Sequence, residues 1–109
     1  MSKIESRLVE LGSPLPEVAK PVAAYVPAVV SGNLVFTSGQ LPFNAGVLPE
    51  TGKLGDSVSA ENAKGYARQA ALNALAAVKL VIGDLDRVKR IVKLVGFVAS
   101  TPDFTGQPG

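Results

Sequence analysis

The sequence contains no histidine, no cysteine and no tryptophan. Without cysteine there is neither a disulfide nor a thiol nucleophile. Without histidine, the Ser-His-Asp and Cys-His schemes fall away, and so do the usual zinc sites. Chemistry is left to Tyr, Ser, Thr, Arg, Lys, Asp, Glu and the backbone. Aromatic residues are only 6% of the chain, so a core must be built mainly from Val, Leu, Ile and Ala. Charged residues are 18%, and the formal net charge of +2 is too small to indicate a nucleic-acid partner. No apolar run approaches the roughly 20 residues of a membrane span, so no membrane partner is expected. The stretch Met1-Ser2-Lys3-Ile4-Glu5-Ser6-Arg7 carries charges and no apolar h-region, unlike a signal peptide. The default address is cytoplasmic.

With 47% hydrophobic residues in 109, the chain reads as one small folded domain, residues 1–109, with a helix and a proline-rich connector over 1–21. Ile4, Leu8 and Leu11 recur at helical spacing, with Ser2 placed to cap and Gly12 to end that helix. Pro14, Pro16 and Pro21 make the next stretch an extended connector, and Lys20-Pro21-Val22-Ala23 feeds the first strand. A hairpin is predicted next. One apolar run covers Ala24 to Val30, Ser31-Gly32-Asn33 is the turn, and Leu34 to Thr37 is the second strand. Pro27 marks the first strand as an edge or bulged one.

Residues 41–55 have loop composition, with a short strand expected at Val47-Leu48. One long helix is predicted from Ser59 to Ile82. Its two neighbouring apolar stripes are Tyr66, Ala70, Ala74, Ala77, Val81 and Ala67, Ala71, Leu75, Val78, Ile82. Alanine on such a face brings a helix close to a sheet. After a short loop at 83–86, Arg87 to Ala99 is predicted as a long strand, its second half apolar on both faces and therefore covered on both. The segment 100–104 reads as a turn. The order predicts an α+β layer, with a helix on one face of a sheet.

The small polar ending of the second strand, Thr37-Ser38-Gly39, lets a ligand approach backbone and hydroxyls closely; the plain alternative is a bulge or turn. The basic group Arg87, Lys89, Arg90 and Lys93 reads as a solvated strand end rather than an RNA platform, which would interleave aromatics.

The run Gly32-Asn33-Leu34-Val35-Phe36-Thr37-Ser38-Gly39-Gln40-Leu41-Pro42 resembles the RidA family, also called YjgF or endoribonuclease L-PSP. Gly83-Asp84-Leu85-Asp86-Arg87-Val88, Val92 to Val98 and Thr101-Pro102-Asp103-Phe104 carry the same resemblance, closest to a branch with a short N-terminal helix. The resemblance implies a chorismate-mutase-like fold, a homotrimer with ligand clefts between subunits, and hydrolysis of 2-imino or enamino acids to 2-oxo acids and ammonia. The implied partner is therefore a small imino or keto acid, and no metal or organic cofactor is implied.

By position, the resemblance makes Tyr25, Ser38 and Gly39 substrate-binding, with Thr37 and Gln40 beside them and Phe97 and Val98 lining the cleft. No catalytic residue is assigned. The family's carboxylate-binding arginine and its acidic residue lie beyond a second helix, and Arg7, Arg68, Arg87, Arg90, Glu61 and Asp103 do not match them. The expectation is a fold lacking its second half and little deaminase activity from these residues alone. The alternatives are a non-catalytic trimer that binds small carboxylates or serves as a scaffold and, more weakly, an endoribonuclease.

Overall fold

Ser2 opens the first helix as its N-cap. Its Oγ accepts the Glu5 N–H at 3.1 Å, while Glu5 Oε2 accepts the Ser2 N–H at 3.4 Å. Helix α1 spans Lys3–Glu10 in the computed structural model, which describes residues 2–18 and 24–109. Gly12 ends it at φ +72°, with its N–H on Val9 O and the Ser13 N–H on Leu8 O. The predicted apolar face does not dock α1: Ile4 and Leu11 are exposed, and the buried residue is Glu5. Polar bonds hold the helix instead. Asp86 accepts the Lys3 and Ile4 N–H groups at 2.8 and 2.9 Å. All four N–H groups that a helix start leaves unpaired are thereby satisfied. Glu5 also pairs with Lys79.

The predicted entry to the first strand at 20–23 lies outside the described residues. Strand β1 is Ala28–Ser31 and β2 is Leu34–Thr37, antiparallel, with Ala28 opposite Thr37 and Ser31 opposite Leu34. The first strand begins four residues later than expected. Position 27 lies opposite Ser38, where a paired residue would exchange two bonds. Pro27 accepts the Ser38 N–H at 2.9 Å but has no N–H to return, so the ladder stops there. In the turn only Gly32 takes positive φ, at +58°, as a type II′ turn asks of its first central residue. Residues directly opposite share a face. Ala28, Val30, Val35 and Thr37 form one face, on which Ala28 is buried. Val29, Leu34 and Phe36 lie exposed on the other.

Helix α2, Ala60–Ile82, packs against both strands. Ser59 Oγ caps it through the Asn62 N–H at 3.1 Å, and Gly83 closes it at φ +83°. Its buried residues are Asn73, Ala76 and Ala77, one residue type apart from an all-apolar stripe. The predicted stripe containing Ala67 and Ala71 is displaced: both are exposed, because Asn73 turns inward. Asn73 Nδ2 donates to the Leu41 and Phe43 carbonyls, each at 3.0 Å, and Asn73 Oδ1 accepts from Gln69 Nε2 at 3.0 Å.

The loop after β2 is stitched locally. Asn44 and Val47 exchange backbone bonds of 2.9 and 3.1 Å, so Val47 makes one bridge and not the predicted short strand. Leu54 is held by the Ala99 carbonyl at 3.0 Å and by the Thr101 N–H at 2.9 Å. The predicted loop after α2 contains a 3₁₀ turn, Leu85–Arg87, whose Leu85 is fully buried.

The predicted strand over Arg87–Ala99 is not formed. Among the described residues no backbone hydrogen bond engages positions 89–98, and without a neighbouring ladder an extended segment is not a strand. Nor is its apolar half covered: Leu94 is 82% and Phe97 94% exposed. The accessible surface is 8053 Å², against about 5,700 Å² for a compact monomer of this mass. Among the described residues no helix is long and apolar enough to cross a membrane.

Two results are expected from this architecture. Asn73→Asp keeps the size of the side chain but removes both N–H donors, leaving the Phe43 carbonyl without its partner and the Leu41 carbonyl with the Phe43 N–H alone; stability in urea should fall by about 1 kcal/mol. A variant as stable as the parent would mean the clamp contributes nothing. Asp86 is held below the ordinary aspartate range by the Lys3 and Ile4 N–H groups, and Glu5 below the ordinary glutamate range by Lys79. Depressed carboxylates stabilise above their unfolded pKa, about 4, and lose that effect as pH falls through the lower folded value. Hydrogen exchange at Lys3 and Ile4 should therefore accelerate below about pH 4, and Asp86→Ala should show the same fast exchange at neutral pH.

Candidate functional site at the hairpin end

The hairpin ends in a short polar segment that one proline anchors. Ser38 is tied twice to the Pro27 carbonyl, through its N–H at 2.9 Å and its Oγ at 3.2 Å. The hydroxyl proton is thereby committed to Pro27, and the oxygen retains lone pairs that can accept a ligand N–H. Gly39 follows. It has no positive φ, and a Cβ built on it would meet nothing within 4 Å. Neither conformation nor packing among the described residues therefore calls for glycine at this position. Thr37 lies opposite Ala28 and is exposed, and Gln40 is half-buried. Tyr25 lies two residues before Pro27, at this same end of the hairpin, and is 42% exposed. Thr37 and Ser38 are set opposite Ala28 and Pro27 at the end of the hairpin, and Tyr25, Gly39 and Gln40 follow on the two chain segments that leave that end.

Phe97 and Val98 are placed differently. They belong to the extended segment before Ala99, and among the described residues no hydrogen bond joins them to the hairpin end. Both are exposed. Phe97 neither packs in a core nor lines a wall within the chain.

Two supports of this region escape sequence patterning. Asn73 fixes the carbonyls of Leu41 and Phe43, immediately after Gln40, and so sets where the hairpin end leaves the sheet. Its only sequence signal is an amide in a helix otherwise rich in alanine. Tyr66 Oη donates to Glu50 Oε1 at 2.8 Å, tying the Pro49–Gly52 turn to α2. The Glu50 carboxylate accepting that proton pushes the Tyr66 phenol up from its ordinary pKa.

Fixed positive charge lies elsewhere. Arg7 pairs with Glu10, Arg68 reaches Leu11 O and Arg87 donates to Ile82 O at 2.8 Å, all at helix C-terminal ends. Arg90 is exposed within the extended segment. Among the described residues no three acidic side chains gather as a metal-holding group. The hairpin end offers a hydroxyl oxygen, an open backbone at Gly39 and a tyrosine wall.

Known proteins resemble this chain over most of its length. A family model described as "YjgF/chorismate_mutase-like, putative endoribonuclease" matches residues 5–105. Protein TCP17 of Trypanosoma cruzi is 43% identical over 105 residues, covering 96% of this chain and 66% of the relative. The crystal structure of Atu1372 from Agrobacterium tumefaciens, described as of unknown function, superposes with a TM-score of 0.87 at 46% identity, covering 96% of this chain and 64% of that one. A structure described as a putative endoribonuclease from Shewanella oneidensis gives a TM-score of 0.75 at 41% identity, covering 80% and 58%. The chain therefore spans about two thirds of the length of the relatives it matches. By sequence and by fold, the chain belongs to the YjgF/chorismate-mutase-like endoribonuclease family.

Proposed function

We propose that the hairpin end is one wall of a cleft in which a 2-imino or enamino acid is hydrolysed to a 2-oxo acid and ammonia. The observation that carries this reading is Gly39, a glycine that neither its φ nor packing among the described residues requires, next to a Ser38 oxygen free to accept. In this arrangement Ser38 accepts the N–H of the imine, Gly39 lets the planar substrate lie against the backbone, and Tyr25 covers it. Water adds to the imine carbon, a proton passes to nitrogen, and ammonia leaves. A substrate carboxylate needs a fixed cation in a partly dry cleft. None of the described arginines is held at the hairpin end, so that cation comes from outside this wall.

A homotrimer accommodates this requirement, because a neighbouring copy closes the cleft. The expectation is that light scattering gives three times the 11.2 kDa chain mass, and that ammonia release from freshly generated 2-iminobutanoate tracks the trimer fraction on dilution. Ser38→Ala and Gly39→Val should each lower the rate at least tenfold, about the worth of one well-placed contact. Trimer with no ammonia above buffer would reject hydrolysis and leave a carboxylate-binding scaffold. In that case small carboxylates should still shift the Ser38 and Gly39 amides.

A second reading, RNA cleavage, is favoured by the description of the Shewanella relative and by the exposed Lys89, Arg90, Lys93 and Phe97. Phosphate contacts impose a steep salt slope. RNA binding through this segment should weaken progressively between low and physiological salt; absent or salt-independent binding removes the reading.

A further inference from the structure

The end of α1 and one side of α2 enclose a groove of about 250 Å³, lined by Gly12, Ser13, Pro14, Gly65, Arg68, Gln69 and Leu72. It shares no residue with the hairpin end. Ser13 is 6% exposed, and its hydroxyl has no hydrogen-bond partner among the described residues. The Ser13 backbone is fixed by the bond from its N–H to Leu8 O at 2.8 Å and by Pro14 after it, which sets where the side chain leaves the chain while the hydroxyl itself can rotate toward a ligand. Arg68 makes one bond among the described residues, a long 3.5 Å contact to Leu11 O, which leaves most of its five N–H donors available.

Gly65 forms the floor. Glycine weakens a helix interior relative to alanine. Here it has an ordinary φ, and nothing lies within 4 Å of where a Cβ would stand. The helix forgoes a better residue and keeps the groove open. Gln69 is oriented from below by its bond to Asn73, while Pro14 and Leu72 add apolar surface. No carboxylate lines the groove, and Arg68 is its one charged side chain.

We propose that this groove is a second binding site, taking a small monocarboxylate with a short apolar tail. The Arg68 guanidinium and the Ser13 hydroxyl hold the carboxylate, the geometry that Arg favours with planar anions. The tail lies over Gly65 against Leu72 and Pro14. The site goes beyond the proposed cleft chemistry and is read at different residues.

Backbone NMR titration of the full chain with propanoate tests it. Propanoate should shift the Ser13, Arg68 and Gln69 amides in a saturable manner, while neutral propanamide should not. Arg68→Gln should weaken that binding at least tenfold, about the value of one charge-assisted contact. Gly65→Leu should fill the groove and abolish binding while leaving Tm equal or higher, which separates a blocked site from a damaged fold. Shifts confined to residues 37–40, undiminished binding by Arg68→Gln, or inorganic phosphate binding as tightly as propanoate would each overturn the assignment.

Discussion

A buried amide in the middle of an alanine surface sets the relation between helix and hairpin. Asn73 is 2% exposed, flanked by Ala76 and Ala77 at 2% and 1%. Small neighbours let α2 approach the strands closely, and the loop that follows β2 passes over the same part of the helix. An amide at that point bonds two of the loop's carbonyls with one side chain. An apolar residue there would leave the Phe43 carbonyl without its partner and the Leu41 carbonyl with the Phe43 N–H alone. Because Leu41 directly follows the Thr37–Gln40 segment, the same amide that closes the core also positions the candidate site.

The attachment of α1 follows a similar logic. A helix of this length is marginal alone in water. Its apolar residues remain largely exposed, so area burial contributes little to its docking. Asp86 supplies what is missing by accepting two of the helix's first N–H groups, and the partly sheltered Glu5–Lys79 pair ties the helix to α2. Both contacts depend on ionised carboxylates. The ends of α1 thus differ in character. The first turn is held by charge, and the last by the Gly12–Ser13 backbone that forms one side of the Arg68 groove.

Elements whose signals are local were legible in the sequence. Ser2 as cap, Gly12 as terminator and the Gly32 turn all depend on the preferences of single residues, and each stands where those preferences place it. Thr37 and Ser38 stand at the hairpin end because the register follows from that turn. What could not be read depends on partners distant in sequence. Asp86 meets α1 across more than eighty positions, and Asn73 meets Leu41 across 32. Patterning also misplaced the buried side of α2, because it treats asparagine as a residue to expose. The stretch from 88 to 99 failed for another reason. Its alternation describes a strand correctly only when a second strand supplies the ladder, and propensity cannot supply one.

That stretch and the open side of the hairpin raise the same physical question. Val29, Leu34 and Phe36 on the sheet, and Leu94, Val95 and Phe97 on the extended segment, present apolar surface with no cover among the described residues. Exposed apolar patches on this scale mark contact surfaces in folded proteins. The segment at 89–98 also carries a row of unengaged backbone groups, which favours strand pairing as the mode of cover over loose hydrophobic contact. Covering these faces would exclude water from their neighbourhood, and low-dielectric surroundings are what make a single hydroxyl, or a single distant cation, effective at a substrate's charge. The uncovered sheet face and the Ser38–Gly39 segment belong to one hairpin, so whatever covers the first changes the surroundings of the second.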